Sequence, residues 1–401
     1  ARGLTFTPDM CPAVSSHAEE TMPTVGLRLA SITSTLALSL AALPASAQDA
    51  IDENVAIERA LAREGIAARD KADRGAAAAE ADIIGPLENP LAQVMYEGGA
   101  GSEWQLGIVQ PIDLTNRRGA LRDAASAEAG AVDADVDRRR QLFVADVRTA
   151  FVECAAAAAE LDIWQRNADE LTEAERVSTA RSEAGDTAVY DVRRVRVALR
   201  SAEAQLARAK GEQSAGCAAL ASLTGVETPT VELSSLTRLS TTPRPGERPD
   251  LIALEQRVLA ASQRVTAARR GRFPQIAIGA GIRRVDDGID TAYGPALSLG
   301  ITLPIWNGGG AAVRQQEALL TSWENEFLIA RRQVEAELTA ASVRMTSTRE
   351  AAVASAAARE DASRLGTIAD TAYQAGEIGV VELLDAYEAA RDADLSVIAF
   401  A

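Results

Sequence analysis

The stretch Ala296-Leu297-Ser298-Leu299-Gly300-Ile301-Thr302-Leu303-Pro304-Ile305-Trp306 decides the fold. Large apolar side chains alternate along it with small or polar ones, and this period of two predicts a β-strand with one apolar face. After Pro304 come three glycines at 308–310 and then a long helical pattern rich in Ala, Glu and Arg. Leu106-Gly107-Ile108-Val109-Gln110-Pro111-Ile112 has the same form and also opens onto a long helical pattern. The fold is therefore organised around a strand that leaves through a proline into a very long helix, twice in one chain.

Periodicity along the rest of the chain predicts an α+β protein with four strands and several helices. The strands form two hairpins, 91–112 and 273–306, and the helices cover 48–80, 119–184, 187–223, 250–271, 311–375 and 380–401. The two longest helices have roughly 65 residues each, which corresponds to about 100 Å. A helix of that length is not stable alone, so we expect these helices to lie against one another as in a coiled coil.

The two halves of the chain repeat each other at a spacing of roughly 190 residues. The glycines and prolines at equivalent positions fall in register within two residues: Gly107 and Gly300, Pro111 and Pro304, Gly185 and Gly376. This predicts a first repeat at 48–227, a Pro-, Ser- and Thr-rich linker at 228–249 and a second repeat at 250–401. A duplication of this length indicates a two-fold repeat within one domain rather than a solenoid.

Residues 1–47 are predicted to be an N-terminal extension followed by a secretory signal peptide. The signal begins at Met22 and comprises Arg28, the apolar run Leu29–Leu43 and the small-residue site Ala45-Ser46-Ala47. We expect cleavage before Gln48 and export of the mature protein. A transmembrane anchor is the alternative, but the apolar run is short for a membrane span. Since the residue directly after the cleavage site is Gln48 and not a cysteine, a lipid-anchored N-terminus is not expected.

Composition and charge argue against several classes of function. The chain has 57 Asp+Glu against 41 Lys+Arg and a net charge of −16, without the basic tracts that nucleic-acid phosphates require. Its single histidine, His17, lies in the segment expected to be removed, which argues against histidine-based catalysis and histidine-rich metal sites. The sequence also has no nucleophile elbow, histidine-based triad or phosphate loop. We therefore expect a protein that is not an enzyme and needs no cofactor.

The strands distinguish a soluble exported protein from an outer membrane protein. No segment of the mature chain offers about 20 consecutive apolar residues, whereas each predicted strand has about the ten residues that cross an outer membrane at a tilt. Four strands cannot close a barrel and unpaired edges are not tolerated in lipid, so the chain would oligomerise, with three copies supplying twelve strands. The Leu/Ile face would meet lipid and the small-residue face would line a lumen. The alternative to an outer membrane barrel is a soluble helical protein with two amphipathic hairpins.

Three sets of motifs carry a family resemblance. The strand-to-helix exits are Gln110-Pro111-Ile112-Asp113-Leu114 and Leu303-Pro304-Ile305-Trp306-Asn307-Gly308-Gly309. The helix breaks are Ser182-Glu183-Ala184-Gly185-Asp186-Thr187-Ala188-Val189-Tyr190-Asp191-Val192 and Tyr373-Gln374-Ala375-Gly376-Glu377-Ile378-Gly379-Val380-Val381-Glu382-Leu383-Leu384-Asp385-Ala386. Arg248-Pro249-Asp250-Leu251 opens the second repeat. Together and in this order, over nearly all of the mature chain, they resemble the TolC-like outer membrane efflux protein family.

The resemblance implies a homotrimeric channel, with a twelve-stranded transmembrane β-barrel continuous with a long periplasmic α-helical barrel. It implies that the glycine-centred breaks are hairpin tips where a periplasmic adaptor docks, and these tip residues are Gly185, Asp186, Thr187, Gly376, Glu377 and Ile378. By the same motifs, Asp191, Glu382 and Asp385 match acidic positions at the channel constriction, although Glu382 stands where Asp is frequent. A carboxylate ring would narrow the tunnel and favour cations. Equally, these are the acidic residues that a helix N-terminus favours for its own stability.

Within the family, the first hairpin and its flanks are most similar to the outer membrane component of heavy-metal (cobalt-zinc-cadmium type) resistance-nodulation-division efflux systems. The residues that carry this similarity are Glu88-Asn89-Pro90-Leu91 and Gln110-Pro111-Ile112-Asp113-Leu114. It implies an inner membrane pump and a periplasmic adaptor as partners, and heavy-metal cations as the cargo. The mature sequence has no His/Cys cluster and shows no metal site of its own, but a conduit needs none if the pump selects the substrate.

Two cysteines, Cys154 and Cys217, remain after the predicted cleavage. They lie 31 residues before Gly185 and 32 residues after it, so they come level if the flanking helices are antiparallel. In an oxidising periplasm they could form a disulfide that closes the hairpin. The alternative is two buried thiols that pack as small apolar side chains.

The leading functional hypothesis is a passive conduit, the outer membrane channel of a tripartite efflux system. The alternative is a periplasmic adaptor protein, which also has a long helical hairpin but lacks lipid-facing strands.

Trp104 and Trp306 lie near strand ends and are candidates for an aromatic girdle at the membrane interfaces. Ordinary core packing is the alternative for both.

Overall fold

The computed structural model describes residues 51–99, 101–227, 229–231 and 248–400. The predicted signal segment, the cleavage site and most of the predicted linker 228–249 lie outside these residues. The helices and strands of the unit Gln48–Ala401 are, in chain order, α1 (Glu53–Leu61), α2 (Ile66–Ile84), β1 (Leu91–Gly98), β2 (Ser102–Ile112), α3 (Arg117–Ala184), α4 (Val189–Thr224), α5 (Pro249–Arg270), β3 (Gln275–Asp286), β4 (Thr291–Thr302), α6 (Gly310–Ala375) and α7 (Val380–Phe400).

Helices α3 and α6 contain 68 and 66 residues, so each is about 100 Å long. Each ends at a glycine and is followed by a helix that packs back against it. Ion pairs at matched distances from Gly185 show that α3 and α4 are antiparallel: Arg196 to Glu175 (2.7 Å) and Arg208 to Glu160 (3.0 Å). Among the described residues, no helix is both long and apolar enough to span a membrane.

Polar contacts join α3 to the helices that flank its N-terminal half. Arg74 of α2 pairs with Asp133 (3.1 Å) and Asp137 (2.8 Å), and Arg264 of α5 pairs with Glu128 (3.1 Å). Helix α5 also packs against α6. The small side chains of Ala131, Ala134 and Ala253 allow α3 and α5 to approach closely at a buried contact.

The four strands form one antiparallel sheet in the order β1-β2-β3-β4. The two hairpins therefore meet through β2 and β3, where Gly107 lies opposite Gly281. A Cβ atom on Gly281 would lie 2.3 Å from the carbonyl oxygen of Leu106, so the close approach of these strands requires glycine. A mostly helical chain with a four-stranded antiparallel sheet confirms the predicted α+β class.

Two prolines that looked equivalent in the sequence occupy different positions. Pro111 lies inside β2, opposite Ala277 of β3 and beyond Val109, the last residue of β2 that pairs with β1. Pro304 lies outside β4, because the N–H of Ile305 donates to the carbonyl of Leu303 (2.9 Å) and turns the chain. The prediction that the second hairpin extends over 273–306 is therefore wrong at its end, since the paired strands cover Gln275–Thr302.

The predicted single helix over 48–80 is also wrong. The structure has two helices, α1 and α2, separated at Gly65, which has a φ of 97° in the region that favours glycine. Helix α1 is capped by Asp52, whose side chain accepts a hydrogen bond from the N–H of Val55 (2.7 Å). Glycine inside an Ala-rich pattern is a weak signal for a break, since helices tolerate it at a small cost.

Candidate functional site at the hairpin tips and the sheet

The tip of the first hairpin is built by the glycine that ends α3. Gly185 has a φ of 85°, and the N–H of Asp186 donates to the carbonyl of Arg181 (2.9 Å). This hydrogen bond satisfies one of the carbonyl groups that the end of a helix leaves unpaired. Thr187 is half-buried, and α4 begins at Val189.

The tip of the second hairpin repeats this geometry. Gly376 has a φ of 81°, and the N–H of Glu377 donates to the carbonyl of Ala372 (2.9 Å). Ile378 packs against the buried core of the tip, and α7 begins at Val380. The six predicted tip residues therefore lie in two equivalent turns.

The two tips share one core and are joined by Arg181, a residue that the sequence pattern did not single out. The buried core residues come from both hairpins: Ala168, Leu171, Ala174, Val195, Leu199, Ala202, Ala369, Tyr373, Val380, Leu383, Ala386 and Tyr387. Arg181 donates to the carbonyl of Gln374 (2.8 Å), and its guanidinium lies 4.9 Å from the ring centre of Tyr373. This contact holds the first tip against the second by a hydrogen bond and a cation–π interaction.

The three predicted constriction acids lie near the starts of the tip helices. Glu382 and Asp385 are both exposed and share one face of α7, one helical turn apart. Glu382 folds back over Gly379, where an added Cβ would lie 2.9 Å from its Oε2. Asp191 lies on the other hairpin, in the first turn of α4. Burial raises the pKa of Tyr373, and the negative charge of Asp191 adds to this rise.

Cys154 on α3 and Cys217 on α4 are joined by a disulfide, with their Cα atoms 4.6 Å apart. Both side chains are buried in a second core, which also contains Phe151, Leu220 and Ala56 of α1. The disulfide closes a loop that contains the whole first tip. Its position therefore limits how far α3 and α4 can separate at this level of the hairpin.

A polar cleft of about 450 Å³ lies beside the tip core, between α3, α6 and α7. Asp394 accepts hydrogen bonds there from Arg166 (3.2 Å) and Arg359 (2.6 Å), and Asp370 accepts one from the hydroxyl of Tyr387 (3.1 Å). Sequence reasoning missed these residues, although the helical spacing of 383, 387, 390 and 394 places Tyr387 and Asp394 on one side of α7. In the part of the chain that the structure describes, no group of three or more His, Cys, Asp or Glu side chains could hold a metal ion.

One face of the sheet is apolar and exposed. Its exposed large residues are Val94, Leu106, Ile108, Ile278, Ile282, Leu297, Leu299 and Ile301. At one end of this face, Tyr96 and Trp104 lie with ring centres 4.7 Å apart, and Tyr293 is exposed beside Arg284 in the register. The opposite face carries small residues, among them Gly279, Gly281, Ser298 and Gly300. An exposed apolar surface of this extent is unusual for a protein in water.

Sequence comparison places this architecture in a known family. The profile of the outer membrane efflux protein family matches residues 95–226 and 246–401, which include the first sheet hairpin from Met95 onward, the whole second hairpin and both helical tips. Among curated protein sequences, none matches the chain significantly.

Solved structures share the fold. The outer membrane protein VceC from Vibrio cholerae is 21% identical, with a TM-score of 0.67 over 87% of this chain and 92% of that chain. The CmeC outer membrane channel of Campylobacter jejuni is 16% identical, with a TM-score of 0.69 over 88% of this chain and 83% of that chain. The MtrE outer membrane channel of Neisseria gonorrhoeae, in its open state, is 21% identical, with a TM-score of 0.67 over 87% of this chain and 85% of that chain.

The family match covers both halves of the chain, whereas the structural neighbours establish the fold alone. The family consists of efflux proteins of the outer membrane, which are transport proteins and not enzymes. This confirms the expected localisation in the outer membrane of a Gram-negative bacterium. The chain belongs to the outer membrane efflux protein family.

Proposed function

We propose that the protein is the outer membrane channel of a tripartite efflux system, a passive trimeric conduit from an inner membrane pump and a periplasmic adaptor to the outside. The observation that carries this proposal is the exposed apolar face of the sheet. Leu297 is 85% exposed and Leu299 is 66% exposed, although both belong to a regular strand. Burial of such a face in lipid removes the cost of its contact with water.

The two outer edges of the four-stranded sheet support a trimer, because strand edges in lipid must be paired. Strands β1 and β4 are the outermost strands of the sheet, so each has an edge that another copy of the chain could pair. Three copies would give twelve strands, an even number typical of outer membrane barrels. Along β3, the apolar row begins at Ile276 and is bounded by the charged Arg284, about 27 Å away along the strand, which a tilt of about 40° reduces to about 20 Å. This height is close to the apolar band of about 25 Å in outer membrane barrels.

The tip acids are proposed to form the constriction. In a trimer, Glu382 and Asp385 on the exposed face of each α7 would give a ring of carboxylates, with Asp191 nearby on each first hairpin. Such a ring would favour cations. The other explanation for these acids is that they stabilise the N-terminus of their helix. It applies to Glu382 and Asp191, which lie in the first turn, but less to Asp385, which lies one turn further along α7.

Adaptor docking is proposed at the two tips. Equivalent turns next to one another would present a repeated surface to the adaptor, and the residues concerned are Gly185, Asp186, Thr187, Gly376, Glu377 and Ile378. The same order of hairpin, long helix and tip helix in both halves supports an internal two-fold repeat.

The proposed cargo is a heavy-metal cation, delivered by a resistance-nodulation-division pump. Its support is the similarity of Glu88-Asn89-Pro90-Leu91 and the first strand exit to the metal-resistance members. Deletion of the gene should lower the resistance of the host to Co²⁺, Zn²⁺ or Cd²⁺. Unchanged metal resistance with lost resistance to organic compounds would contradict the cargo and leave the channel standing.

The assembly is tested by electrophoresis of the mature protein purified in detergent. We expect a trimer that resists unheated detergent and converts to monomer on heating. The adaptor alternative predicts a protein that stays soluble and monomeric without detergent, and that result would reject the channel proposal.

A further inference from the structure

We propose that the cleft between the two helical hairpins binds a small organic ammonium cation, held by Asn167, Glu170 and Asp370. Asn167 and Glu170 belong to α3 in the first hairpin, and Asp370 belongs to α6 in the second. All three line the cleft of about 450 Å³. The binding itself does not depend on the proposed channel function, whereas any effect of the cation on the channel entrance rests on it.

The first observation is an unpaired buried acceptor. Asn167 is only 4% exposed, and its Oδ1 has no hydrogen-bond partner among the described residues. A buried amide oxygen without a donor is unfavourable, because folding has removed its hydrogen bonds to water. The oxygen therefore requires a donor that enters the cleft.

The second observation is a pair of cleft acids, Glu170 and Asp370, that form no ion pair within the described residues. Glu170 lies one turn after Asn167. Asp370 accepts hydrogen bonds from Tyr387 (3.1 Å) and from Gln374 Nε2 (2.9 Å), which orient its oxygens but carry no charge. Partial burial raises the pKa of Glu170, the positive charge of Arg166 opposes that rise, and the charge of Asp370 adds to it.

The arginines around the cleft already have partners. Arg166 and Arg359 both bind Asp394, at 3.2 Å and 2.6 Å. Arg391 binds Asp392 (2.7 Å) and lies over the ring of Trp164. The fourth acid of the cleft, Glu173, is paired with Arg176. Among the acids that line the cleft, Glu170 and Asp370 are thus the two without an ion pair in the described residues.

The geometry favours an ammonium cation over a metal ion. No cluster of three acidic, His or Cys ligands capable of holding a metal exists in the described ranges. An ammonium group has three N–H donors, which suit an amide oxygen and two carboxylates without a coordination shell. Water could satisfy Asn167, but it would not neutralise the two acids. A diamine with two ammonium groups would neutralise both.

The test is calorimetric titration of the full-length mature protein in detergent with 1,4-diaminobutane at constant ionic strength. We expect saturable binding of one diamine per chain. Glu170→Gln should weaken the affinity by roughly ten- to a hundred-fold, the range for loss of one charged hydrogen bond. Asp370→Asn provides a second variant that keeps the size of the side chain.

The matched control is Asp169→Asn, which makes the same charge change on the neighbouring exposed residue, outside the cleft. Its affinity should fall much less than that of Glu170→Gln, because Asp169 acts on the cleft only through its charge near Glu170. Equal weakening in Asp169→Asn and Glu170→Gln, binding of Mg²⁺ without binding of the diamine, or no saturable binding would each overturn the proposal. Trimer formation in the same preparation distinguishes the two hypotheses, because a trimer that does not bind the diamine rejects the site and leaves the channel.

Discussion

Leu297→Arg would place a charge at the centre of the apolar sheet face. Leu297 lies opposite Ala280, and Ala280 lies opposite Ile108, so the three residues form one row across the sheet. Five such rows cross this face, at positions 276, 278, 280, 282 and 284 of β3, and the row of Leu297 is the middle one. Its side chain is 85% exposed in the single chain, so the substitution removes little packing within the protein. The loss of folding free energy caused by the arginine should therefore depend almost entirely on whether this face of the sheet lies in lipid or in water.

The magnitude depends on what those surroundings are. An arginine that faces lipid at the membrane midplane costs about 2–4 kcal/mol per chain. This lowers the folding equilibrium constant roughly 30- to 1,000-fold. If the face were in water, the same arginine would be close to neutral, since exposed surface substitutions usually change stability by less than about 0.5 kcal/mol.

The assay is unfolding by urea of the protein folded into lipid vesicles, followed by tryptophan fluorescence. The control is Ala296→Arg, the neighbouring residue on the opposite face, which lies across from Gly281, a residue without a side chain. We expect Leu297→Arg to lower the free energy of unfolding and Ala296→Arg to change it much less. Equal effects of the two variants, or a larger effect of Ala296→Arg, would refute the assignment of the lipid-facing side.

Arg181→Ala removes the hydrogen bond and the cation–π contact between the tips, so we expect a free energy of unfolding lower by about 1–3 kcal/mol and a larger single-channel conductance. Unchanged conductance would show that this contact does not restrain the entrance. Burial raises the pKa of Glu170 above its value in the unfolded chain, so the ionised side chain lowers the stability of the folded protein. At a pH below the unfolded pKa the side chain is protonated in both states, and this loss of stability disappears. Glu170→Gln should therefore raise the melting temperature at about pH 7 and not at about pH 4, and equal shifts at both would contradict this cause. Reduction of the Cys154–Cys217 disulfide should lower stability by about 4 kcal/mol, because it opens a loop spanning 63 residues. Titration of the unfolded, unreduced protein should find neither thiol free, and two free thiols would reject the bond.

Local signals in the sequence explain which features of the fold were predictable. The strands follow from alternating residues, and the breaks at Gly185 and Gly376 follow from glycine between long proline-free helical patterns. The end of β4 was not predictable, because the turn around Pro304 depends on a hydrogen bond to Leu303. The break at Gly65 was missed because glycine within an Ala-rich helix is usually tolerated.

The candidate site was predictable only in part. The family motifs indicate Asp191, Glu382 and Asp385, but their spacing says nothing about which side chains from the other hairpin lie beside them. Arg181 and Tyr373 meet because two distant helix ends pack together, which no local pattern encodes. The cleft acids were missed for the same reason, since α3 and α6 are far apart in sequence.

The most direct test of the central claim is single-channel conductance of the purified mature protein in a planar lipid bilayer. It compares the wild type with the double variant Glu382→Ala, Asp385→Ala. We expect a small, cation-preferring conductance that increases, and loses its cation preference, in the double variant. A conductance that the substitutions leave unchanged would contradict the constriction, and no conductance from protein that stays soluble and monomeric would contradict the channel itself.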